Sequence, residues 1–149
     1  MEVQQDFRDL LALFNEHKVE YIIVGAYALG FHGAPRTTGD IDIFIKPERL
    51  NSQRVMEALD EFGFGSVGLS LEDFISSDKI VQLGFPPVRI DIITSMTGVS
   101  WKEAWLGKVE GKFGDVPVHY IGRNEFILNK RALGRHKDLA DLEALGEEV

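Results

Sequence analysis

A chain of 149 residues, 44% hydrophobic and 27% charged, has the size and make-up of one globular unit, which excludes disorder and collagen-like repeats. It has no cysteine, so disulfide scaffolds, zinc–thiolate and iron–sulfur centres and a cysteine nucleophile are excluded. A formal net charge of −8 argues against a broad non-specific grip on nucleic acid, while leaving room for a small basic cluster that holds phosphate. No apolar run approaches the roughly 20 residues of a membrane span. The opening MEVQQDFRDL is acidic and polar, unlike a secretion signal. A soluble, cytoplasmic protein with no membrane partner is expected. With no repeat, linker or low-complexity tract, one domain over residues 1–149 is expected.

Apolar positions at Phe7, Leu10, Leu11 and Phe14 predict a helix over residues 3–17. The β-branched run at 21–24 predicts a buried strand that stops at Gly25. A short helix follows over 26–32, closed by Gly33, Ala34 and Pro35. Residues 40–45 alternate polar and apolar and predict a strand. Pro47 then opens a helix to about residue 61, with Leu50, Val55, Leu59 and Phe62 on its inner side. The glycine-rich stretch 63–70 reads as loop and 71–75 as a short helix. Strands are expected at 79–85 and 88–94, separated by Pro86 and Pro87. A helical segment at 100–107 is followed by strands at 108–113 and 116–121, joined by a turn at Gly114 and Asp115. Asn124 is the expected cap of a helix ending near Gly134, and a last helix carries Leu139, Leu142 and Leu145. The expected class is α/β (α+β), one mixed central sheet flanked by helices with a helical C-terminal tail.

Chemistry concentrates at Asp40-Ile41-Asp42-Ile43. Side chains two apart on a strand share a face, so Asp40 and Asp42 project together. Two close carboxylates raise each other's pKa, and a divalent cation between them removes the repulsion. Oxygen donors of this kind suit Mg²⁺, which takes one or two carboxylates together with substrate phosphate. Asp91, in the apolar run Arg89-Ile90-Asp91-Ile92-Ile93, also needs a partner or a metal. On a neighbouring strand it would complete three carboxylates, a support for two-metal phosphoryl transfer. Gly25 and Ala26 stand where a strand turns into a helix, a place where backbone amides approach phosphate. The glycines at 25 and 30 have the Walker spacing, but Phe31 and His32 follow where Lys and Ser/Thr belong. Residues 122–137 carry a local net charge of +4, and residues 138–149 hold five acids and no base. Lys130 and Arg135 are thereby placed to meet a triphosphate.

Together these residues resemble the nucleotidyltransferase superfamily, of polymerase-β-like fold. The likeness runs from about residue 20 to 145. It rests on Gly25-Ala26, on Asp40-Ile41-Asp42 and on Asp91 in that order. The chain is most similar to small stand-alone prokaryotic members, including nucleotidyltransferase-type toxins of abortive-infection systems. It shares with them Val24-Gly25, the run His32-Gly33-x-Pro35-Arg36-x-Thr38-x-Asp40-Ile41-Asp42, and the tail Lys130-x-x-x-x-Arg135-x-Lys137-Asp138-Leu139-x-Asp141-Leu142. One residue departs: Ala26 stands where Ser or Gly is usual, removing a hydroxyl but no backbone amide. The resemblance implies Mg²⁺-dependent transfer of an NMP from a nucleoside triphosphate such as ATP to a hydroxyl, with release of pyrophosphate. Two Mg²⁺ ions (Mn²⁺ as an alternative) would be held by Asp40, Asp42 and Asp91, the catalytic residues. Gly25, Ala26, Arg36, Thr38, Lys130 and Arg135 would meet the nucleotide. An RNA end, a protein and a small molecule all remain open as acceptor. The oligomeric state is open, as is a toxin–antitoxin partner.

Each of these residues also has a plain structural reading. Asp91 could be an ion-pair partner, Gly25 a tight turn, and Thr37 and Thr38 turn residues. Lys130 and Arg135 could form a solvated helix end, and Lys137 could pair with Asp141. Trp101 and Trp105 read as packing, Asp115 as a turn residue, and the four histidines as structural. The competing function is an inactive nucleotide- or partner-binding module of the same fold. A nuclease using the same acids ranks lower, because no acid-x-lysine pair accompanies Asp91.

Overall fold

The computed structural model describes residues 4–35, 38–65, 67–85 and 88–148. In chain order its elements are α1 (Gln5–Glu16), β1 (Tyr21–Val24), α2 (Gly25–Phe31), β2 (Asp40–Ile45) and α3 (Arg49–Leu59). A single π turn (Asp60–Phe64) then leads to α4 (Glu72–Ile75), β3 (Ile80–Phe85) and β4 (Val88–Ile93). The chain continues through α5 (Trp101–Gly107), β5 (Val109–Phe113), β6 (Val116–Tyr120), α6 (Arg123–Leu133) and α7 (His136–Ala144). Among the described residues, seven α-helices surround one six-stranded mixed sheet of order β3-β4-β2-β1-β6-β5, an α/β architecture. No helix there is long and apolar enough to cross a membrane.

The sheet is organised around β1, all four of whose residues are buried. It pairs antiparallel with β2 and parallel with β6. On its far side β2 pairs parallel with β4, and β4 pairs antiparallel with β3. Alternation along β2 sends Ile41, Ile43 and Ile45 to one face and Asp40, Asp42 and Phe44 to the other. Trp101 packs edge-on to Phe44 with ring centroids 5.0 Å apart, so α5 covers the aspartate face beside the site. Each fully buried Ile or Phe of this core contributes roughly 1.5–3 kcal/mol. The helix α1 buries Phe7, Leu10, Leu11 and Phe14, the four positions its periodicity marks.

Two expectations change. Leu50 is 53% exposed, whereas its neighbours Asn51 and Ser52 are buried at the start of α3. Asn51 accepts from the Glu20 amide and donates to the Glu20 and Lys46 carbonyls, and Ser52 donates to the Phe74 carbonyl. Backbone groups at the strand ends thus win the inward positions over an aliphatic chain. Asn124 lies inside α6, whose N-cap is Gly122, whereas Gly134 ends the helix as expected in a left-handed conformation with φ 63°. Ser100 caps α5 through a reciprocal box with Glu103. Pro86 and Pro87 lie outside the described residues.

Candidate active site

The register of the central strands assembles the acidic residues. Asp42 stands opposite Asp91 and Asp40 opposite Arg89 across the parallel β2–β4 pair, while Val24 faces Asp42 from β1. Three carboxylates and one guanidinium therefore share one face. Arg89 donates to both oxygens of Asp91, at 2.8 Å from Nε and 3.1 Å from Nη2, and its Nη2 lies 3.2 Å from Oδ2 of Asp40. Among the described residues no three His, Cys, Asp or Glu side chains converge as a finished metal cage. Burial, then the neighbouring Asp91 and Asp40, push the Asp42 carboxyl up to about 6, with Lys130 pulling the other way.

Gly25 begins α2 with φ 69°, a conformation that suits glycine. A Cβ at this position would collide with Oδ2 of Asp42. The missing side chain makes room for that oxygen, and both Gly25 and Asp42 line a cleft of about 390 Å³. The cleft is lined by Val24, Gly25, Asp42, Lys130 and Arg135, together with Asp78, Ile80, Ser95 and Met96. Of the three aspartates only Asp42 lines the cleft, and Asp40 and Asp91 sit beside it under Arg89.

Of the cleft's three cations, Lys79, Lys130 and Arg135, the last two are anchored from behind. Lys130 Nζ lies 3.4 Å from Asp138 and 3.2 Å from Asp141, both buried, and Arg135 Nε donates to Asp138 at 2.7 Å. The Arg135 bond, aided by the Arg135 amide and Lys130, holds the Asp138 carboxyl down at about 2 against the effect of burial. Arg123 and Arg131 both pair with Glu147. The basic segment and the acidic tail, separate in sequence, thus neutralise each other across α6 and α7. Asp141 pairs with Lys130 rather than with Lys137, because side-chain direction on α7 turns it inward.

The sequence-predicted residues divide accordingly. Asp40, Asp42, Asp91 and Gly25 come together, and Lys130 and Arg135 join them at the cleft. Ala26 is the second residue of α2 and lies off the cleft lining. The Thr38 hydroxyl is engaged with the Asp40 backbone at 3.2 Å, a turn contact. Arg36 and Thr37 lie outside the described residues. Trp101 and Trp105 stack at 5.4 Å as packing, and His32 bonds the Ile121 carbonyl. Sequence reasoning missed Asn129, buried on the cleft with its amide donating to Thr97. It also missed Asp138 and Asp141 as anchors; their i,i+3 spacing beside Leu142 was the available signal.

No family model matches the chain and no curated relative is found. Solved structures do match. A presumed nucleotidyltransferase from Thermotoga maritima (TM1012) aligns over 93% of this chain and 89% of its own, with TM-score 0.61 and 16% identity. The lincosamide antibiotic adenylyltransferase LnuA, in its lincomycin-bound form, aligns over 96% of both chains with TM-score 0.53 and 15% identity. At these identities the likeness is one of architecture: the chain has a nucleotidyltransferase-like fold.

Proposed function

We propose that the chain is a Mg²⁺-dependent nucleotidyltransferase that moves an NMP from a nucleoside triphosphate to a hydroxyl acceptor and releases pyrophosphate. The observation that carries this reading is the row of Asp40, Asp42 and Asp91 on adjacent strands, whose Asp42 lines, beside Gly25, the cleft that Lys130 and Arg135 also line. The donor set fits Mg²⁺: it is all carboxylate oxygen, and Asp42 lines the cleft in the room that the absent Cβ at Gly25 leaves for it. Asp40, Asp42 and Asp91 would hold the metal, which supplies charge neutralisation for triphosphate and acceptor oxygens.

The chain's own groups do the rest. Lys130 and Arg135, pre-positioned by Asp138 and Asp141, meet negative charge that grows on the leaving pyrophosphate. The acceptor oxygen bonds to the α-phosphorus, and the α–β bridging bond breaks with its electron pair leaving on pyrophosphate. Asp91 is the candidate acceptor for the hydroxyl proton, which requires Arg89 to release one of its oxygens. The likeness to an adenylyltransferase makes ATP the first donor to try.

The test is thermal unfolding with each ribonucleoside triphosphate, with and without Mg²⁺, followed by pyrophosphate release with hydroxyl acceptors. A Mg²⁺-dependent rise in unfolding temperature is expected. At 100 times the dissociation constant it corresponds to roughly 2.7 kcal/mol. Asp42→Asn is expected to fold and to lose transfer by at least about a hundredfold. Transfer at wild-type rate by that variant overturns the assignment. Ala26 and the Arg89 clasp on Asp91 favour a second reading, a binding module without turnover. Nucleotide binding with no pyrophosphate release from any acceptor selects it.

A further inference from the structure

Arg89 touches two of the three aspartates, and it uses both oxygens of one of them. Its fork closes on Asp91 at 2.8 and 3.1 Å and reaches Asp40 at 3.2 Å. The Asp91 side chain is 11% exposed and that of Arg89 26% exposed. A buried carboxylate row without a cation would be strongly destabilised, so this guanidinium supplies the neutralising charge. The same lone pairs are the ones a divalent cation needs. Guanidinium and metal therefore compete for Asp91 and Asp40. The surroundings permit the side chain to leave. It is partly open to solvent, and its partner on the β3 side is Gly84, which puts no side chain beside it.

We propose that Arg89 is a displaceable internal counter-ion: it holds the aspartate row when no metal is bound and withdraws toward solvent when a divalent cation takes Asp40 and Asp91. The inference rests on the reading of these aspartates as a metal site, and deepens it. Arg89 sets metal affinity and metal-free stability in opposition. It is a positioning residue, acting on the carboxylates rather than on substrate.

The experiment uses Mn²⁺ alone, titrated into wild type, Arg89→Gln and Arg89→Lys, with bound and free ion read by electron paramagnetic resonance. Unfolding temperatures are taken in EDTA and in excess Mn²⁺. Arg89→Gln is expected to bind Mn²⁺ at least about tenfold tighter than wild type, to unfold at lower temperature in EDTA, and to gain more from Mn²⁺. Arg89→Lys keeps the charge but loses the fork, and is expected to fall between the two. If Arg89→Gln does not fold, the Lys variant carries the comparison. Equal or weaker Mn²⁺ binding by the variants overturns the proposal, as does absence of Mn²⁺ binding by all three proteins. No nucleotide enters this measurement. A protein that follows the expected Mn²⁺ order yet transfers no nucleotide keeps the counter-ion and loses the transferase reading.

Discussion

Gly25 joins a backbone requirement to a site requirement. Its φ of 69° costs a residue with a side chain on the order of 1–2 kcal/mol, and the Cβ would strike Asp42 as well. Gly25→Ala is expected to lower stability by about 2 kcal/mol or more in denaturant titration and to weaken the Mn²⁺ response, since Asp42 must shift. An Ala variant as stable as wild type would mean that α2 can start elsewhere. Gly25, Asp40, Asp42 and Asp91 were all legible in the sequence, because Asp42 and Asp91 interrupt apolar runs, and Gly25 and Asp40 bound them, where burial otherwise dictates the residue type. Arg89 was visible as a residue but not as a clasp. Strand alternation puts it on the face of Asp91, yet nothing local says that a second strand brings Asp40 within its reach.

Helix by helix, periodicity was a good guide wherever one face is wholly apolar, as in α1. It failed at Leu50, where backbone groups of other segments compete for the inward face through Asn51 and Ser52. The α6–α7 pair shows the same limit in charge. The five acids of residues 138–149 and the basic segment before them look like separate solvated surfaces until the helices fold together over Asp138 and Asp141. Lys130 is 12% exposed between two buried carboxylates. Lys130→Met removes the lysine shared by Asp138 and Asp141, leaving Asp138 its bonds to Arg135, and is expected to cost about 1–3 kcal/mol in equilibrium unfolding. A loss under 1 kcal/mol would show that water replaces the lysine.

At the scale of the molecule, metal-free stability should follow the opposed shifts of two aspartates. Asp42 binds its proton more tightly folded than unfolded, so stability rises as pH falls from above 6 toward 4. His17, raised chiefly by its bond to Glu61, acts in the same direction near neutrality. Asp138, held at about 2, contributes stability above about pH 4 that is lost as pH falls through its folded value. Unfolding temperature in EDTA is therefore expected to peak between about pH 4 and 5, with a gain over pH 7 on the order of 1–2 kcal/mol. Asp42→Asn should reduce that gain to the His17 share; an unchanged profile would remove Asp42 as its source. The sequence carried the elements and their class but not the strand order, because order is decided by which faces remain to be covered after local pairing.

That order has a consequence for assembly. The strands β3 and β4 form an antiparallel ladder of their own, and Arg89 stands two residues before Asp91 on the same face. Both residues belong to one strand, so the strand that sets Asp91 beside Asp40 and Asp42 also brings the countercharge for it. Mutual repulsion of the three carboxylates, already felt at Asp42, grows when the guanidinium is drawn away.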